Sequence, residues 1–138
     1  LYDSRLDYEE TLAYLSIVDP EGRRPRLRLT VQYATSTDPF YLQTAFITIE
    51  GGDPVDPIDP IVVTGDPRRE TDGATLLESI TINADRALIE RLSSMISSSR
   101  FRVTFIGMED QHTHAPSVAE RAAMSNILFA FIDLGGVR

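Results

Sequence analysis

The strongest constraint in this chain is a two-residue rhythm. From residue 26 to 33 polar and apolar residues alternate without a break, with Leu27, Leu29, Val31 and Tyr33 on one side and Arg26, Arg28, Thr30 and Gln32 on the other. Successive side chains of a strand point to opposite faces, so the pattern predicts a β-strand with one face in a core and the other in water. The rhythm returns at residues 101 to 106, where Phe101, Val103 and Phe105 alternate with Arg100, Arg102 and Thr104 until Gly107 breaks it. Half-wet strands of this kind belong to antiparallel sheets whose dry face another layer must cover.

The remaining segments fit around that sheet. Residues 12 to 18 form a short apolar run ended by the turn residues Asp19, Pro20, Glu21 and Gly22, which predicts a further strand. Residues 40 to 49 are aromatic and β-branched, and Gly51 and Gly52 end them; this strand is expected to pair antiparallel with 26 to 33. Residues 53 to 60 read DPVDPIDP, and a proline at every third position excludes a central strand. Short strands are expected at 61 to 64 and 76 to 82, with a loop at 65 to 73. Asn83 is the expected N-cap of a helix whose Leu88, Ile89, Leu92, Met95 and Ile96 recur at helical spacing. A last helix follows Pro116, opened by Ser117 and Glu120 as a capping box. Its expected apolar face is Val118, Met124, Ile127, Leu128, Phe131 and Leu134, and Gly135 and Gly136 stop it. The fold class is therefore α+β: one domain over residues 1–138, a mainly antiparallel sheet or sandwich, and two helices in the C-terminal half, the last packed on the sheet.

Charge and composition narrow the function classes. A net charge of −8 opposes a general affinity for nucleic acid. Arg23, Arg24, Arg26 and Arg28 cluster locally, but the last two fall on the expected wet face of their strand. All 13 basic residues are arginine and lysine is absent, a bias explained by GC-rich codons ahead of a high-salt habitat. Cysteine is absent too, which removes disulfides, thiol nucleophiles and thiolate metal sites. Apolar runs such as residues 127 to 132 fall far short of the roughly 18 to 20 residues that span a bilayer. The chain opens on Leu1 without a charged and apolar leader, so a removed leader or an excised domain is the expectation.

The densest polar cluster is Glu109, Asp110, Gln111, His112, Thr113 and His114, which holds both histidines of the chain. In an extended segment His112 and His114 project to the same side, and with Glu109 or Asp110 they offer three ligands to zinc or a similar divalent ion. The alternative is a solvated link between the last strand and the last helix. Asp53, Asp56 and Asp59, with Asp66, make a second acidic edge of calcium-type oxygen ligands, without the loop of an EF-hand. No serine sits in a G-x-S-x-G elbow and no glycine loop cradles phosphate, so no catalytic residue and no cofactor is assigned.

The stretch from Arg100 to Phe131, with its R-F-R-V-x-F-x-G strand and its helix opening S-x-x-E, resembles the ending of uncharacterised bacterial secreted or lipoprotein-type domains. In those domains a strand similar to PRLRLTVQY precedes a second long strand, as here, and the resemblance spans roughly residues 2 to 135. It implies a β-rich sheet with a packed C-terminal helix, and export to the periplasm or cell surface. It implies no catalytic residue. The expectation is thus a non-enzymatic module, either a structural part of a larger envelope assembly or one binding an unidentified protein or small ligand through sheet edges or aromatic rings such as Tyr2, Tyr8 and Phe40. A divalent-metal module, enzymatic or not, at Glu109, Asp110, His112 and His114 is the alternative.

Overall fold

The computed structural model describes residues 11–18, 25–51 and 59–134. Among these the chain forms, in order, β1 (Leu12–Val18), β2 (Arg26–Thr35), β3 (Thr44–Ile49), β4 (Ile61–Val63), β5 (Arg68–Asp72), β6 (Thr75–Asn83), α1 (Arg86–Ile96), β7 (Phe101–Ile106), β8 (Gln111–His114) and α2 (Val118–Asp133). The strands build two four-stranded sheets, ordered β1-β2-β6-β5 and β4-β3-β7-β8, in which every pairing is antiparallel. The class is α+β as expected, and α2 lies against β1 with α1 beside it.

Both rhythms produce the strands they predict. Leu27, Leu29 and Val31 of β2 and Phe101, Val103 and Phe105 of β7 are all buried, and they join Leu92 and Met95 of α1 and Met124 and Phe131 of α2 in one apolar cluster. The polar side of β2 is drier than its alternation implies. Thr30 and Gln32 are buried as well, and the Thr30 hydroxyl is 2.7 Å from that of Thr81 on β6.

Residues 40 to 43 depart from the expected strand, and with them the expected pairing of β2 with β3. Tyr41 has φ +58°, a left-handed conformation that interrupts an extended chain. The amides of Phe40, Tyr41 and Leu42 turn instead to the carboxylate of Glu78 on β6, at 2.7, 3.2 and 2.9 Å. Glu78 is wholly buried, and Arg69 of β5 donates its Nε to it at 3.3 Å. This anchored bend carries the chain from one sheet to the other, so β2 and β3 belong to different sheets.

Two edge strands replace expected loops. Arg68–Asp72 pairs with β6, and Gln111–His114 pairs with β7. Neither segment contains an apolar residue; an edge strand of this kind is held by ladder hydrogen bonds and leaves no hydrophobic rhythm to detect. The caps shift as well. Asn83 ends β6, and Asp85 caps α1 by accepting from Leu88 N–H at 2.8 Å. At α2 half of the capping box forms, since Ser117 Oγ accepts from Glu120 N–H at 3.0 Å. The Glu120 side chain points elsewhere, into the protein.

Candidate functional site

The polar cluster between β7 and α2 is divided among three structural tasks. Glu109 and Asp110 lie in the turn from β7 to β8, where Gly107 N–H donates to the Asp110 carbonyl at 2.8 Å. With Met108 they face Asp38, Pro39, Phe40 and Tyr41 across a cleft of about 250 Å³. His112 and His114 stand two apart on β8, opposite Phe105 and Val103, and so share a side as expected. Their rings have separate neighbours. His112 sets an edge against Tyr33 with ring centroids 5.5 Å apart, while Nε2 of His114 lies 2.9 and 3.2 Å from the two carboxylate oxygens of Glu120.

Among the described residues no group of three or more His, Cys, Asp or Glu side chains is arranged to hold a metal ion. The expected set of Glu109, Asp110, His112 and His114 forms no such group, and His114 Nε2 meets a carboxylate from outside it. That carboxylate has a second duty. Glu120 is buried and accepts from Ala13 N–H of the edge strand β1 at 3.2 Å, so His114, Glu120 and Ala13 tie β8, α2 and β1 together. Of the other candidates, Asp53, Asp56, Tyr2, Tyr8, Arg23 and Arg24 lie outside the described residues, and Asp59 and Asp66 are exposed. Phe40 is buried and stacked on Tyr33 at 4.1 Å, which removes it as an exposed recognition ring.

Larger than that cleft is a groove of about 360 Å³ between α1 and α2. It arises from the two-sidedness of α2. One side of that helix, with Met124, Ile127, Leu128 and Phe131, enters the core. On the other side Val118, Ala122, Ser125, Phe129 and Ile132 follow one another at steps of four, three, four and three residues. That spacing keeps side chains on one stripe of a helix, here about 21 Å long. The stripe is open: Val118 is 74% exposed, Phe129 64% and Ile132 43%. Val118 therefore leaves the core face assigned to it by periodicity, and so does the exposed Leu134 just beyond the helix.

From α1 the groove is walled by Ser93, Ile96 and Ser97. Arg121 also lines it, beside the stripe. Its guanidinium reaches the Ile96 carbonyl only at 3.4 Å, and its Nε, shielded from solvent, has no hydrogen-bond partner among the described residues. A buried donor without an acceptor is costly and uncommon. Comparison of the chain with protein-family models, with curated proteins and with solved structures found no match. The groove was missed in the sequence because each of its residues is unremarkable singly; the signal that finds it is the second four-three series running through α2.

Proposed function

We propose that the protein is a non-enzymatic binding module whose site is the groove between α1 and α2. The observation that carries this reading is the exposed series Val118, Phe129 and Ile132, placed on a helix whose opposite side is already buried. A helix apolar on both sides is normally covered on both sides, since leaving large apolar groups in water forfeits about 1.5–3 kcal/mol per side chain. Selection for folding alone would favour polar residues at these positions. The metal reading is not carried forward, because no group of three or more His, Cys, Asp or Glu side chains among the described residues is arranged to hold an ion. The exported setting implied by the resemblance stays part of the proposal, and cell fractionation checks it.

The test uses a neutral, environment-sensitive apolar dye such as Nile red. The wild-type protein should enhance its fluorescence, and the Phe129→Ser, Ile132→Ser double variant should lose that enhancement while keeping the wild-type melting temperature. Absence of dye binding by the wild type, or equal binding by the variant, removes the groove as a site.

A further inference from the structure

Resting on that reading, we infer that the groove receives an amphipathic helix of a partner protein, and that Arg121 selects one carrying a carboxylate beside its apolar stripe. Three features converge on this occupant. The open stripe has the four-three spacing with which one helix packs along another. Its middle positions are the small Ala122 and Ser125, with Val118 at one end and Phe129 and Ile132 at the other, so the surface is a trough that admits a second helix closely. The third feature is charge. The protein carries −8, yet the groove lining holds one arginine and no acidic residue.

In the four-three series Arg121 occupies the position immediately before Ala122, flanking the stripe on the side of α1. Flanking charges of this kind set partner choice between packed helices. The guanidinium of Arg121, in a groove lining that holds no acidic residue, gives the choice its sign, since a guanidinium only donates and a carboxylate is the acceptor that suits its fork. A second copy of this chain is a poorer occupant, since a two-fold contact through the same groove sets arginine against arginine and supplies no acid.

The experiment uses labelled synthetic helices with leucine at four-three spacing and Glu, Gln or Lys beside the stripe, titrated with the full chain and read by fluorescence anisotropy. The Glu peptide should bind about tenfold more tightly than the Gln peptide, the difference expected of a charge-assisted hydrogen bond. The Lys peptide should bind most weakly. In Arg121→Met the three should converge, and in Arg121→Lys part of the order should survive; circular dichroism verifies that both variants fold. Equal binding of the three peptides to wild type, or the same order persisting in Arg121→Met, overturns the carboxylate preference and leaves the groove standing. Dye binding without peptide binding overturns the helical partner, as does displacement of the dye by octanoate alone. A dimer in sedimentation that excludes the dye assigns the groove to a second copy and overturns the inference. Failure of both dye and peptides removes the underlying reading as well.

Discussion

Replacing Glu78 with leucine tests what holds the crossing between the two sheets. Its Oε2 accepts from Phe40 and Tyr41 N–H at 2.7 and 3.2 Å, and its Oε1 accepts from Leu42 N–H at 2.9 Å and Arg69 Nε at 3.3 Å. Leucine is no smaller, so the loss is polar rather than a cavity. Phe40 and Leu42 are buried; their amides cannot turn to water, and each stranded donor costs about 1–3 kcal/mol. The Arg69 contribution is small, because half of that side chain is in water and an exposed pair is worth about 1 kcal/mol or less. Two stranded amides at the middle of their range cost about 4 kcal/mol, offset in part because a charge no longer has to be desolvated. A net loss of about 3 kcal/mol follows, or a fall in Tm of about 10 °C for a chain of this length. Glu78→Gln should recover only part, since one amide oxygen cannot serve three backbone donors and its NH2 faces the rest. Arg69→Met should cost below about 1 kcal/mol. Urea and thermal unfolding of the three variants decide. A Glu78→Leu protein as stable as wild type, or an Arg69→Met loss equal to that of Glu78→Leu, would refute the assignment of the stability to the three backbone bonds.

Two further perturbations address the neighbouring segments. A Cβ at Gly107 would lie 2.5 Å from the Phe40 carbonyl oxygen and 2.9 Å from its ring, so Gly107→Ala should cost about 1–3 kcal/mol in urea unfolding; an unchanged midpoint would show that the anchored bend yields. His114→Ala removes one partner of the buried Glu120 while Ala13 N–H remains, so a loss of about 1–2 kcal/mol is expected. Excess zinc should leave the wild-type Tm unchanged, and a zinc-dependent rise absent from a His112→Ala, His114→Ala variant would restore a metal centre there.

What the sequence discloses here is what short-range periodicity encodes. Leu27, Leu29 and Val31, like Phe101, Val103 and Phe105, bury as their alternation demands because the pleat alone sets which way they point. The pairing of strands obeys no such local rule. Residues 40 to 43 have the composition of a strand, but one acid 36 to 38 positions away draws three successive amides out of any ladder. Nothing near Phe40 announces Glu78, and nothing near Glu78 distinguishes it from the wet face of a strand. The same holds for the cluster at 109 to 114. Its residue types suit a metal, but Glu120, a whole cap further on, decides what His114 does.

The rotation of α2 shows why the candidate site in particular escaped notice. Its two apolar series, one through Met124, Ile127 and Phe131 and the other through Val118, Ala122, Ser125, Phe129 and Ile132, are offset by two residues, about 200° round the helix. Periodicity alone permits either to face the core. Bulk favours the first, which with Leu128 sets four large side chains against three, the other series having Ala122 and Ser125 at its centre. Polarity argues the other way, since Glu120 heads the first series and an unpaired buried carboxylate is prohibitive. That objection disappears only in three dimensions, where the edge-strand amide of Ala13 and the ring of His114 receive the carboxylate. Satisfying Glu120 is therefore what turns Val118, Phe129 and Ile132 outward. The contact that closes the core is the same one that leaves the groove open, with Arg121 in its lining.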